Sequence, residues 1–310
     1  MSRAVIYEKF GGPEVLELRE VPEPHAGAGE VRVRVTAAGL NPMDWLIPSS
    51  AESAERWGIT LPSGFGCDLA GVIDEVGDGV EGFAVGDRVY GGVFGRAVQD
   101  FTVVPIGPNP LFQLTATPDG LDDVVAAALP TPALTAAAAL AAISVASGDV
   151  VLVGGAAGGV GVLTVQLARR AGARVIGTAS PGTFDFLRAF GVEPVAYGPG
   201  LVERVRELAP EGITAATDMF GVETAEAALE LGVAPERIST IAAGPNPPGG
   251  VRATGGFDAA PGSLGRIADS IVAGDVTLPI AATFPLEQIH EAVALQAGRH
   301  VHGKVVVTIS

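Results

Sequence analysis

The sequence predicts an α/β protein in two parts, a β-rich first segment followed by a doubly wound parallel sheet. Three observations carry this. Short β-branched runs broken by Gly and Pro fill the first ~115 residues. From about Leu121 strand and helix patterns alternate, the pattern of a parallel sheet with right-handed crossovers. A glycine-rich turn at 154–161 joins a strand to a helix. A length of 310 residues fits two domains at ~150 residues each.

Taken in order, strands are expected at Arg3–Tyr7, Val15–Glu20, Val31–Ala37, Gly71–Val80 and Asp87–Tyr90. Strands this short, with turns every ~8–12 residues, suggest a small barrel-like domain. The stretch Pro48–Ser63 has no clean period and reads as a loop or irregular helix over a cleft. Val124–Gly148 carries no charge, but Pro130 and Pro132 interrupt it and much of it is alanine, so a buried helix pair is expected there rather than a membrane span. Val150–Val153 is a continuous buried-type strand, and Val160, Leu163, Leu167 and Ala171 then mark one helical face. Further strands are expected at Arg174–Thr178, Pro194–Tyr197, Ala215–Met219 and Arg237–Ala242, with helices at Leu201–Ala209 and Thr224–Leu231. Gly244–Gly256 reads as a mobile loop, and Pro261–Ser310 as two helices and a last strand, Lys304–Ile309.

Composition removes several classes of function. Lys plus Arg is 19 and Asp plus Glu 35, a formal charge of −16. Nucleic acid and anionic membrane surfaces both require surplus cations, so neither is an expected partner. The single cysteine, Cys67, excludes an internal disulfide framework. The opening MSRAVIYEKFGG has no apolar h-region, and a soluble, cytoplasmic, reduced protein is expected.

The segment Val151–Ser180 carries the chemistry. Gly154, Gly155, Gly158, Gly159 and Gly161 follow a strand and open a helix, the context of a dinucleotide-binding turn. Small residues let the backbone approach a pyrophosphate, and the helix N-terminus offers N–H groups to it. Gly155, Ala156, Ala157, Gly158, Gly159 and Val160 are the candidates. The spacing GGAAGGVG departs from GxGxxG, and an ordinary glycine-rich turn is the alternative. NAD sites place an acid at the end of the second strand; here that strand ends Gly177–Thr178–Ala179–Ser180. Its lack of an acid points to NADPH, with Thr178 and Ser180 at the ribose and Arg188 in the next helix.

The chain resembles the medium-chain dehydrogenase/reductase superfamily, in its zinc-independent quinone oxidoreductase (zeta-crystallin-like) branch. The motifs are AAGLNPMD (37–44), GCDLAGVIDEVGDGVEGFAVGDRVYG (66–91), LPTPALTAAAAL (129–140), GGAAGGVG (154–161) and HGKVVV (302–307), in the family's order. The resemblance implies a GroES-like catalytic domain (1–120), a Rossmann NADPH-binding domain (121–260) and a C-terminal segment (261–310) returning to the first. It also implies an active site between the domains and a homodimer. It places Asn41 beside the nicotinamide or a substrate oxygen, and Tyr197 against the adenosine 2′-phosphate. Thr135, Phe220, Ala242, Ala243 and Lys304 join the cofactor set.

Zinc-dependent relatives carry a Cys after the AAG turn and then Gly-His-Glu. The matching positions here are Leu40–Asn41–Pro42 and Gly66–Cys67–Asp68, and His25, His290, His300 and His302 lie elsewhere. Three protein ligands are therefore not in evidence, and no metal is expected. Without one, hydride addition to a conjugated system is easier than to an isolated carbonyl. For Asn41, a turn residue before Pro42 is the alternative; for Asp44, a loop brace instead of an acid. Trp45, Trp57 and Phe94 read equally as pocket walls or core. Leu46 and Ile47 stand where the branch often has a Tyr, leaving Tyr90 or solvent as proton donor. Lys304 reads equally as a cofactor ligand or a structural salt bridge. The expected partner is a small electron-poor acceptor. The alternatives are an enoyl-thioester or polyketide-type enoyl reductase, and a cofactor-binding structural protein without turnover.

Overall fold

The computed structural model describes residues 1–108, 112–244 and 246–310, with Phe112 described by its backbone alone. The chain forms two compact units. Unit 1 comprises Met1–Thr131, Ala268–Ala273 and Leu278–Ser310; unit 2 comprises Pro132–Ile267 and Gly274–Thr277.

Unit 1 begins with β1 (Ser2–Tyr7), β2 (Glu17–Val21) and β3 (Glu30–Gly39). In β3 the buried Val31, Val33 and Val35 alternate with the more exposed Arg32 and Arg34, the two-residue period of a strand. The Val15–Glu20 strand starts later than its β-branched pattern predicts, because Pro13 opens a 3₁₀ turn through Val15. Next come α1 (Pro42–Leu46), a 3₁₀ turn at Ile47–Ser49 and α2 (Ala51–Arg56), capped where Ser50 Oγ accepts the Ser53 N–H at 3.2 Å. The aperiodic 48–63 stretch thus contains a short helix. β4 (Ser63–Gly64), β5 (Asp68–Val76), β6 (Arg88–Val93), β7 (Phe101–Pro105), β8 (Phe112–Ala116) and α3 (Asp123–Ala128) follow. β5 stops at Val76, short of the predicted Val80: Gly79 has a left-handed φ of +79° and turns the chain. β7 and β8 have no counterpart in the sequence reading.

Unit 2 contains most of α4 (Pro130–Ala142), which begins just past Leu129, and no helix among the described residues is long and apolar enough to cross a membrane. Then come β9 (Val150–Gly154), α5 (Gly159–Arg170), β10 (Arg174–Ala179), α6 (Phe184–Ala189), β11 (Glu193–Ala196) and α7 (Leu201–Leu208). β12 (Ala215–Asp218), α8 (Glu223–Glu230), β13 (Ile238–Thr240) and β14 (Arg252–Ala253) complete it. The six strands are parallel, in the order β11-β10-β9-β12-β13-β14. Leu152, Ile176 and Ile238 are buried on one face, and Val151, Val153 and Val175 on the other, so the sheet is covered on both sides. β14 lies within the expected 244–256 loop, whose Pro245 falls outside the described residues.

The chain then runs through α9 (Ser263–Val272), β15 (Ile280–Pro285), α10 (Ile289–Ala297) and β16 (Lys304–Thr308). β16 pairs antiparallel with β3, Val306 opposite Gly39, and β15 pairs parallel with β16. The unit 1 sheet reads β15-β16-β3-β5-β6-β8, with β7 also on β3, and β2-β1-β4 forms a second sheet. This is a GroES-like β-rich unit and a Rossmann-type parallel sheet in one chain.

Candidate functional site

In unit 2, the loops after β9 to β13 gather along the C-terminal edge of the parallel sheet, where this architecture binds nucleotides. Gly155 turns the chain with φ +63°. The Gly155 N–H donates to Thr178 Oγ1 at 3.0 Å and the Ala156 N–H to Thr178 O at 3.2 Å, which fixes the turn on β10. A Cβ on Gly161 would lie 2.2 Å from Gly155 O and 2.8 Å from Ala156, so only glycine lets the helix start this close to the turn. α5 has Gly158 as N-cap and no side-chain cap. Its first-turn N–H groups are thus left for an anion.

The other predicted cofactor residues border the same edge. The β10–β11 register pairs Ala179 with Ala196, which sets Ser180 beside Tyr197, 54% exposed. Ser180 Oγ bonds Thr183 Oγ1 at 2.9 Å. Arg188 is engaged on its own helix, with Asp185 at 2.7 Å and the Phe184 ring at 5.7 Å. Phe220, 57% exposed, follows β12. Thr240 Oγ1 accepts from the N–H groups of Ala242 (3.3 Å) and Ala243 (3.2 Å). Beside them a cavity of about 280 Å³ is lined by Thr240, Ile241, Ala243, Gly244, Thr254 and Asp258 among others. Thr135 is buried on α4 near Gly256.

Two supports of this edge escaped the sequence reading. The buried Asp218 accepts the N–H groups of Phe220, Gly221 and Thr224, each at 2.9 Å. Arg204 donates to the carbonyls of Ala196, Tyr197, Gly198 and Pro199 at 2.8–3.3 Å and so holds the Tyr197 loop. An Asp closing β12, three residues before Gly221, was the available signal for the first; nothing local marked the second.

Unit 1 contains a different kind of site, a buried polar cluster at the end of β3. Asn41 is 3% exposed. Its Nδ2 donates to Asp68 Oδ2 at 2.9 Å and to Gly39 O at 3.4 Å, and its Oδ1 accepts from Lys304 Nζ at 2.5 Å. Lys304 Nζ also donates to Leu40 O at 2.6 Å. Asp68 accepts further bonds from Thr131 Oγ1 (2.7 Å) and Thr131 N–H (3.0 Å). Asp44 Oδ2 accepts the Asn41 N–H at 2.7 Å, while its Oδ1 has no hydrogen-bond partner of suitable geometry; the Cys67 thiol is a neighbour in electrostatic contact. Burial pushes the Asp44 carboxyl up to about 7 and the Cys67 thiol well above its usual range. Burial raises Asp68 against the pull of Lys304, and lowers Lys304 against the pull of Asp68.

Several expectations change here. The Asn41 amide is spent on Asp68, Gly39 and Lys304, so it has no free donor for a substrate oxygen. Lys304, predicted equally as a cofactor ligand, sits 4% exposed inside unit 1 with its ammonium on Asn41 and Leu40. Tyr90 is fully enclosed and its hydroxyl is unpartnered. Burial and the charge of Asp269 push it up to about 12, which removes it as an accessible proton donor. Trp45 is tied to α10, its Nε1 donating to Gln296 and its ring under Arg299, so it packs the core instead of walling a pocket. Trp57 and Phe94 do meet, stacked at 5.3 Å. Phe94 lines a cavity of about 10 Å³ together with Tyr7, Asp44, Ile47, Phe65 and Cys67. For the enoyl-reductase alternative the sequence points to a pocket shaped by residues 45–63 and 90–113, of which 109–111 lie outside the described residues. Among the described residues no three His, Cys, Asp or Glu side chains converge as a metal site. The Lys304 ammonium acts on Asp68, Asp44 and Cys67 through its charge, without a direct ion pair.

Residues 27–101 match the family "Alcohol dehydrogenase GroES-like domain", and residues 159–256 match "Zinc-binding dehydrogenase". A quinone oxidoreductase of Pseudomonas aeruginosa is 30% identical over 99% of this chain and 99% of its own. The rat quinone oxidoreductase is 40% identical over 58% of this chain, an alignment that takes in 53% of the rat protein. The chain thus spans about half the length of its mammalian relatives in alignment. Among solved structures, a mycobacterial protein complexed with NADPH superposes with a TM-score of 0.85 at 27% identity, over 99% of this chain and 100% of that one. The CurK enoyl reductase superposes with a TM-score of 0.85 at 26% identity, over 100% and 99%.

Proposed function

Because this chain belongs to the quinone oxidoreductases of the medium-chain dehydrogenase/reductase superfamily, we propose that it is an NADPH-dependent reductase of small electron-poor acceptors. The acceptor is a quinone or a C=C bond conjugated to a carbonyl. The observation that carries this is the turn from Gly155 to Gly161, which opens an uncapped helix at the sheet edge with no acid at the end of β10. When bound, the nicotinamide supplies a hydride.

The chain's own residues account for binding. The α5 N-terminus and the glycine turn receive the pyrophosphate. Ser180, Tyr197 and the Arg204-clamped loop receive the adenosine end. Asp218 and Thr240 hold the loops carrying Phe220 and Ala243 to the crevice wall. A homodimer and a cytoplasmic location form part of the same proposal.

The test is calorimetric titration with NADPH and NADH, followed by NADPH oxidation with 1,4-benzoquinone. Binding of NADPH in preference to NADH, with turnover, is expected; failure to bind either nucleotide overturns the proposal. The likeness to an enoyl reductase favours a second acceptor class, enoyl thioesters. Turnover with a crotonyl thioester and none with quinone selects it. Tight binding with no turnover on any acceptor selects a structural role.

A further inference from the structure

A 2′-phosphate brings extra negative charge to the end of β10, and a chain of net charge −16 repels it. A local cation has to offset that repulsion if the phosphate is to be preferred. Dinucleotide sites of this fold answer the phosphate with a nearby arginine. Arg188 is the arginine that the sequence offers, but its charge is met by Asp185 at 2.7 Å. Arg174, at the opposite end of β10, pairs with Glu193 at 2.7 Å, and Arg237 pairs with Asp149 at 2.7 Å.

Arg204 differs. It lies half-buried on α7 and gives its whole fork to neutral oxygens. Nε and Nη2 reach Ala196 O at 3.1 and 2.8 Å. Nη2 also reaches Gly198 O at 3.0 Å and Tyr197 O at 3.3 Å, and Nη1 reaches Pro199 O at 2.8 Å. Among the described residues no acidic group forms an ion pair with it: Glu203 stands 4.0 Å from Arg206, and Glu223 Oε1 accepts the Gly198 N–H at 2.7 Å. Carbonyls orient a guanidinium without cancelling its charge.

The loop is built around this grip. Gly198 and Gly200 turn it with φ of +86° and +81°, and a Cβ on Gly200 would come within 2.9 Å of Arg204 Nη1. The β10–β11 register sets Ala196 opposite Ala179, so the oxygen that Arg204 holds with two nitrogens belongs to the residue beside the last residue of β10. Strand pairing thus brings an unneutralised cation to the strand end where the ribose 2′ position is read.

We propose that Arg204 is the residue that sets the preference for NADPH over NADH. Its charge favours the additional phosphate, and its grip on the 196–199 carbonyls fixes Tyr197 beside Ser180. It acts as a positioning residue, and the proposal rests on the nicotinamide-nucleotide reading of unit 2.

Calorimetric titration with NADPH and NADH tests it. The unaltered protein is expected to bind NADPH at least about tenfold more tightly at low salt. Net charge alone would make added salt favour NADPH, the more anionic of the two. A local cation reverses that sign, so the preference should shrink at least about threefold between about 50 and 500 mM NaCl. Arg204→Met should lose at least about tenfold in NADPH affinity, with NADH affinity changed by less than about threefold. Arg204→Lys keeps the charge and should still prefer NADPH by at least about threefold. An Arg204→Met variant that keeps the wild-type preference, or that weakens both nucleotides equally, overturns the proposal. So does a wild-type preference that salt leaves unchanged or enlarges, a result that needs no variant to fold. Wild-type protein that binds NADPH no better than NADH also overturns it. Wild-type protein that binds neither nucleotide overturns the nucleotide reading instead.

Discussion

Replacing Lys304 by Met would remove the cation from the buried cluster while keeping side-chain length. Asp68 would then keep its charge with no countercharge, and Leu40 O and Asn41 Oδ1 would lose their donor. Breaking a buried pair from one side costs about 3–5 kcal/mol, and each abandoned acceptor about 1–3 kcal/mol. These terms overlap, because the three groups share one ammonium. A loss of about 4 kcal/mol is expected. At a urea dependence of ~2 kcal/mol/M that lowers the midpoint by about 2 M. Both tryptophans, Trp45 and Trp57, lie in unit 1, so intrinsic fluorescence follows this unit alone. The decisive companion is Lys304→Met with Asp68→Asn. It removes both charges and leaves an amide oxygen at that position for the Asn41 or Thr131 donors, and it should recover at least about half of the loss. A single variant that costs under about 1 kcal/mol, or a double variant no better than the single, would refute the account of the cluster as one charge-coupled unit.

Other expectations follow from the same geometry. Asp44 is held up to about 7 against 3.8 for a free carboxyl, so the native state keeps a proton between those pH values that the unfolded chain has lost. Its contribution is whole below about pH 4, declines as pH rises to about 7 and is flat above; Asp44→Asn should therefore gain about 3 kcal/mol on wild type between pH 5 and pH 8, read by urea midpoints. Gly161→Ala forces a methyl to within 2.2 Å of Gly155 O, and calorimetry should show NADPH affinity lowered at least about 30-fold. Asp218→Ala orphans three N–H donors, and hydrogen exchange at Phe220, Gly221 and Thr224 should quicken by at least about tenfold, with weaker nucleotide binding.

Unit 2 was largely legible from sequence because its signals are local. Val150–Val153, the glycine turn and the Val160–Ala171 face lie within one βαβ segment, and strand and helix bounds differ from expectation by a residue or two. Unit 1 was less so. β7 and β15 pair with partners far away in sequence, and their short runs carry no period strong enough to stand alone. The polar cluster was misread for a related reason. Asp, Asn and Lys are ordinarily exposed, so nothing in their own neighbourhoods announces burial. Asn41 meets Asp68 across 27 residues and Lys304 across 263. The resemblance pointed Asn41 at a nicotinamide or substrate oxygen, whereas its amide is bonded to Gly39, Asp68 and Lys304.

The last strand of unit 1 has a consequence for biogenesis. β16 fills the gap between β3 and β15, and it brings Lys304 with it. On a translating ribosome, the stretch from Pro132 to Ile267 emerges as an almost continuous parallel-sheet body and can mature early. The first 131 residues must wait with β7 on Glu30–Arg34 but the Ala37–Gly39 end of that side of β3 unpaired, and an acidic interior lacking its ammonium. That interval is when the nascent chain is open to strand addition by strangers, and chaperones that cover a bare sheet edge would act then.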